Sequence, residues 1–412
     1  MKPSLGWAGL SRAALKRAEA QLMADSQGVR DEVGVLALHT AYANRFFPGT
    51  SVQQSRLRYA LFVPWQIKAL LRDRDGVKPG QARRALEQAE LQLARRLPDI
   101  DGEGTIGRQT AKAGRPVSIP PSQSYWVALG AWGVLSADPN GGTPSRSELF
   151  ARWDRWPEGH RGRPVTDDEQ RVLEARRPLF HTSLPEAPPA FHRGKALAFG
   201  LDPDERDFLR TRLLDTRRPG DGQPSFLAAL VRAGAAPSSS RPPWSRSVIR
   251  HADAADRDAL LRARDAASLA AVTRALYAAA VEELQQRRDG MTPGRRHREH
   301  LGAVVDEHGA AARRLRLSDL PADGVFIGGL EGVLANVQAW LAAAVEDPLD
   351  KHVYGPLTWW ELRRKGSRRA RLPLSSHGRE ARAGWRAGET ALAGPIEYRW
   401  SLVRRFLEDL KV

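Results

Sequence analysis

The chain has 412 residues, carries 64 Lys and Arg against 48 Asp and Glu for a formal net charge of +16, and contains no cysteine. This length exceeds one ordinary domain, so two or three are expected, and a hydrophobic content of 42% excludes global disorder. The lack of cysteine excludes disulfides, thiolate zinc sites and cysteine nucleophiles and fits a cytoplasmic protein, while the cationic excess favours a polyanionic partner such as nucleic acid, although the Arg, Ala, Gly and Pro bias of a GC-rich genome accounts for part of it.

The opening segment MKPSLGWAGLSRAALKRAEA is broken by Arg12, Lys16 and Arg17 before any apolar block long enough for a signal peptide. No window reaches the roughly 18–20 uncharged apolar residues that a membrane span needs, so no membrane partner is expected. Ser11 predicts a cap for a helix to about Met23, and a second helix is expected from about Val29 to Phe46.

The stretch FFPGTSVQQSRLRYALFVPW, Phe46 to Trp65, is the one around which the rest is organised. Pro48-Gly49 signals a turn, and Thr50 or Ser51 can cap a helix with Val52, Leu57, Leu61 and Phe62 as its apolar stripe. Pro64, lacking an amide proton, should end or kink that helix. Two readings stand for Arg56 and Arg58: members of a core-forming helical hairpin, or outward-facing phosphate contacts.

An amphipathic helix is predicted over 81–97. Gly102, Gly104 and Gly107 match GxGxxG, but no apolar strand precedes them, so a loop or small hairpin is the better reading. A basic segment with Arg108, Lys112 and Arg115 leads to Ser122, read as the cap of a helix carrying Tyr125, Trp126, Leu129 and Trp132. Extended Val134-Leu135 and a turn at 139–142 follow. That order is the order of the last helix and wing of a winged helix-turn-helix; core packing or protein contact explains it equally, since the helix has no arginine.

Short helices are expected at Ser145 to Trp156 and from Thr166 to Arg176. A proline-bearing connector at 178–189 is read as a domain boundary. Further helices should cover Phe199 to Leu214, opened by Asp202-Pro203, and Ser225 to Ala233. Residues 235–244 have the Ser- and Pro-rich composition of a linker. Ala254 to Arg288 reads as one or two long helices, and Leu330 to Val345 as another. His297, His300 and His308 sit among arginines, which repel a cation, and are read as a solvated helix face rather than as metal ligands. Six of the nine residues from Arg363 to Arg371 are Lys or Arg, with Trp359 and Trp360 directly upstream. Broken by Gly366-Ser367, the run suits a flexible loop that follows a phosphate backbone, with a tryptophan free to stack on an unpaired base; core tryptophans beside a solvated loop are the alternative. A last helix is expected over Tyr398 to Leu410.

The motifs LGWAGLS, FPGTS, SRLRYALFVPW, SYWVALGAWGVL and EYRWSLVRRFLEDL together resemble an uncharacterised bacterial family, over nearly the whole chain. The resemblance implies no activity. Members of that family are seen beside helicase and nuclease-like genes of anti-phage defence clusters, which implies a helicase or nuclease subunit as a partner.

No phosphate-binding loop of the GxxxxGK[ST] type, HExxH, GxSxG or kinase set is present. Asp204, Glu205 and Asp207, and Asp253, Asp256 and Asp258, read as helix-start residues placed by the helix dipole. The expectation is a mainly α, multi-domain protein with a winged-helix-like part in its N-terminal half. Its divisions are read as 1–178, 179–244 and 245–412, the last a helical domain with a basic loop. The function expected is a non-catalytic nucleic-acid-binding or scaffold subunit of a defence or DNA-processing complex, with no metal and no cofactor. The contacts expected are Arg56, Arg58, Lys112, Arg115, Arg363, Arg364, Lys365, Arg368, Arg369 and Arg371, with Trp359 or Trp360 as stacker. Six phosphate contacts give a slope of about −5 in log K against log salt. The alternatives are an adaptor that touches no DNA and a divergent metal-dependent nuclease.

Overall fold

A computed structural model of the protein describes residues 33–73, 77–99, 102, 104–138, 141–156, 178–235, 237–238, 241–292 and 294–411. The helices expected at Ser11–Met23 and Thr166–Arg176 lie outside these residues. The described residues are mainly helical; extended chain occurs only as isolated bridges, Leu135 with Phe180 and Arg217 with Pro224. No described helix is long and apolar enough to cross a membrane. The chain folds as two compact units, one of residues 33–42 with 259–398, the other of 43–258 with 399–411. The stretch 179–244 lies wholly within the second.

In chain order, α1 is Leu36–Phe46, α2 Tyr59–Arg72, α3 Ala82–Arg96, α4 Arg108–Lys112, α5 Pro121–Ser124, α6 Trp126–Ala131 and α7 Arg146–Ala151. Next come α8 Pro189–His192, α9 Pro203–Leu214, α10 Phe226–Arg232, α11 Arg246–Ile249 and α12 Ala254–Arg287. The last are α13 Arg296–Arg314, α14 Leu330–Ala342, α15 Lys351–Lys365, α16 Ser376–Ala383 and α17 Trp400–Asp409.

In the second unit, Phe46, Phe47, Phe226 and Trp400 form one aromatic cluster, with ring centroids 5.8–6.2 Å apart. Tyr59, Phe62, Trp65, Tyr125, Phe191 and Phe199 form another. The Pro48-Gly49 turn is confirmed: Gly49 has φ +81, and a Cβ there would lie 2.7 Å from the Trp132 indole nitrogen, which donates to the Pro48 carbonyl. Residues 51–58 are turns instead of a helix, because Gln54 satisfies the local backbone. Its Oε1 accepts from the Ser51 amide, and its Nε2 donates to the carbonyls of Gly49 and Ser124. Val52, expected in the apolar stripe, is therefore exposed. The helix starts late, at Tyr59, so Pro64 sits inside it; burial of Tyr59 through Ile67 offsets the missing hydrogen bond.

The segment expected to be a helix and wing is packed differently. Ser122 is no cap: it lies inside α5 and its amide donates to the buried Glu90 carboxylate. Trp126 is buried, and the Tyr125 hydroxyl donates to the Arg56 carbonyl. The His181 amide donates to the Val134 carbonyl and the Ser136 amide to Leu179, so the extended residues pair with the 178–181 segment. Among the described residues no strand forms there.

The first unit is built along residues 259–287 of the 34-residue α12. Its alanines are buried almost all round, which lets neighbouring helices approach closely. α14 and α15 pack along each other. His297 is buried, contrary to the solvated face expected. Its ring lies 5.1 Å from that of Trp385, and the Ala387 carbonyl takes one ring nitrogen.

Candidate nucleic-acid interface

α15 sorts its side chains by helical period. Val353, Leu357 and Glu361 are buried, while Trp359, Leu362 and Arg363 share the exposed face at three- and four-residue spacing. The Asp350 side chain starts the helix by accepting from the His352 amide. The adjacent tryptophans part company. The Trp360 ring lies on Gly329, where a Cβ would be 2.7 Å away, and its indole donates to the Val33 carbonyl at 2.5 Å. Trp359 is 57% exposed, with the Arg363 guanidinium over its ring at 5.4 Å.

The Glu361 carboxylate organises the chain beyond the helix. It accepts from the Tyr277 hydroxyl at 2.5 Å, from Lys365 at 2.8 Å, and from the amides of Arg371 and Leu372 at 3.0 and 2.8 Å. Gly366 has φ +71 and lets the chain leave the helix; its carbonyl accepts from the amides of Arg369 and Ala370. From the far side, buried Arg382 donates to the carbonyls of Arg371 and Pro373 while paired with Asp289. The basic run is thus a hydrogen-bonded turn, not the loose loop expected. Arg363, Arg364 and Lys365 in the last helical turn also face the negative end of the helix dipole.

Within the run, Lys365 is tied to Glu361 and to the Tyr277 ring, and Arg364 lies against Gly34 and over the Trp360 ring. Arg371 is half-buried. Arg363, Arg368 and Arg369 are exposed and form no ion pair among the described residues; the Arg369 guanidinium donates to the Lys365 carbonyl. The surface that remains is Trp359 with these three arginines.

In the second unit three of the four expected contacts, Arg56, Arg58 and Lys112, are otherwise engaged. Arg58 does not face outward. Its side chain is 8% exposed, pairs with Glu205 at 2.7 Å, donates to the Ala198 carbonyl and covers the Phe62 ring. Arg56 pairs with Asp409 at 2.7 Å, and the same carboxylate accepts from the Leu57 amide. Burial pushes the Asp409 and Glu205 carboxyls up, with the arginines pulling the other way. Lys112 is held by Asp99 at 2.7 Å, and Arg115 is exposed. Asp253 and Asp256 both clasp buried Arg218, at 3.0 and 2.9 Å. No group of three or more His, Asp or Glu among the described residues is arranged to hold a metal ion.

Two cavities in the second unit carried no sequence motif. One, of about 720 Å³, has Phe208 and His181 in its wall beside Glu186, Asp202, Asp204 and Asp207. The other is lined in part by the stretch read as a linker. Comparison with curated proteins and with solved structures gives no match. Residues 4–292 match the model of a family of unknown function, DUF6361, and the chain belongs to that family.

Proposed function

We propose that the protein is a non-catalytic nucleic-acid-binding subunit that holds single-stranded regions through the C-terminal end of α15. One observation carries this reading: Trp359 is exposed, Arg363 lies against it, and Arg363, Arg368 and Arg369 have no carboxylate partner among the described residues. An exposed indole offers a stacking face to an unpaired base, and guanidinium groups beside it hold the adjoining phosphates. Placement in a defence or DNA-processing complex rests on the family resemblance of the sequence motifs.

Three phosphate contacts, not six, give a slope of about −2 to −3 in log K against log salt. Fluorescence anisotropy with single-stranded and duplex oligonucleotides at two salt concentrations tests the reading. Expected are tighter binding of the single strand and a loss of affinity in Trp359→Ala of about 1–3 kcal/mol. Absence of binding at low salt rejects it.

The apolar exposure of Phe326 and Leu374 in the same unit favours a second reading, an adaptor for a helicase or nuclease subunit that touches no nucleic acid. In that case replacing Arg363, Arg368 and Arg369 together leaves complex assembly and activity intact.

A further inference from the structure

Residues 233–235, 237–238, 241, 247–248 and 250–251 line an open cavity of about 480 Å³ in the second unit, within the range of small-molecule sites. Its polar lining is Arg241, Arg250, His251, Ser238 and Ser247, and no carboxylate is among the described residues that line it. That is unusual in a chain whose other arginines so often meet acids.

The donors are held in place by the local fold. The Ala235 amide turns back to the Leu230 carbonyl, ending α10. The Arg241 carbonyl accepts from the Trp400 indole at 2.7 Å, which fixes the backbone from which that guanidinium projects. Arg241 Nη1 donates to Ser247 Oγ at 3.1 Å, leaving the hydroxyl proton to donate onward. Arg250 Nε lies 3.3 Å from His251 Nε2, so Nε2 is the acceptor and the imidazole proton sits on Nδ1. Partial burial, and then the charge of Arg250, hold the His251 pKa below its ordinary value and keep the ring neutral. Two guanidinium groups, a neutral imidazole and the Ser247 hydroxyl thus line one cavity, with no carboxylate among its described lining residues.

We propose that this cavity binds a phosphate group carried on a small organic ligand, with Arg241 and Arg250 as the charged clamp and Ser247 and His251 as neutral donors. Val248 and Pro237 in the lining supply the apolar contact that the organic part requires. The site shares no residue with the α15 surface.

The test is calorimetric titration of the full chain with inorganic phosphate, adenosine 5′-monophosphate and adenosine, and with an oligonucleotide with and without a 5′-phosphate. Expected are binding of the phosphorylated probes, none of adenosine, and a Kd raised about tenfold or more in Arg241→Ala and in Arg250→Ala, each with an unchanged circular dichroism spectrum. Tighter binding of the nucleotide than of the 5′-phosphorylated oligonucleotide assigns the site to a free small molecule, and the reverse order to a nucleic-acid end. A measurement on the unaltered chain needs no variant to fold: the His251 ring resonances shift on addition of inorganic phosphate. Equal affinity for adenosine and its monophosphate, or His251 resonances that stay in place at millimolar phosphate, overturns the proposal.

Discussion

Two stretches of this chain place arginines beside aromatic residues, SRLRYALF at Ser55–Phe62 and TWWELRRKGSRRAR at Thr358–Arg371, and the fold puts them to opposite use. In the first, Arg56 and Arg58 are drawn inward by Asp409 and Glu205, which lie 353 and 147 residues further along the chain. In the second, the one nearby acid, Glu361, is taken up by Lys365, Tyr277 and two backbone amides. Arg363, Arg368 and Arg369 are left at the surface. The difference teaches that charge exposure here is decided by carboxylates remote in sequence, not by local composition.

That contrast can be broken or sharpened by mutation. The largest effect belongs to Arg58→Ala, which strands the Glu205 carboxylate in the interior. Chemical denaturation should show a loss of about 3–5 kcal/mol, and an unchanged midpoint would mean that Arg58 is not the buried partner described. Glu90 comes next. It is 1% exposed, and burial raises its pKa from 4.5 to about 7, against the pull of the Ser122 amide. A carboxyl raised in the folded state contributes full stability below pH 4.5, and that contribution is lost as the pH climbs to about 7. Wild type should therefore fall behind Glu90→Gln by about 3 kcal/mol across that window, at about 1.4 kcal/mol per unit. Parallel pH–stability curves for the two proteins would refute the assignment.

Asp409→Asn removes the charge that holds Arg56 and weakens the acceptor of the Leu57 amide; thermal unfolding should report a loss of about 1.5–3 kcal/mol. The smallest effect is expected at the other stretch. Arg363→Ala, Arg368→Ala and Arg369→Ala should each stay within about 0.5 kcal/mol of wild type, because exposed side chains without a carboxylate partner contribute little to the fold. A loss of several kcal/mol from any of them would erase the distinction between the two regions.

Much of the helical order was legible in the sequence. The short helix after Ser145, the Asp202-Pro203 helix start and the long alanine-rich α12 all read correctly because their signals are local. Pro64 misled because its effect depends on where the helix begins, and a glutamine, Gln54, delayed that beginning through a bond to Ser124. His297 misled because Trp385, which covers it, is far along the chain. At the candidate interface, the basic run and the tryptophan pair beside it were legible. Which of the two tryptophans is exposed was not, since Gly329 and Val33 claim Trp360 from distant positions. The residues at 235–244 read as a linker because serine and proline lack an apolar period, yet Arg241 and Ser238 there help line a cavity.

The most direct test is the salt dependence of single-stranded oligonucleotide binding by wild type, by the Arg363→Ala/Arg368→Ala/Arg369→Ala triple variant, and by Arg115→Ala as an exposed control from the other unit. The expected result is a slope of about −2 to −3 for wild type and the control and a slope near zero for the folded triple variant. A triple variant that keeps the wild-type slope and affinity would contradict the assignment of this surface.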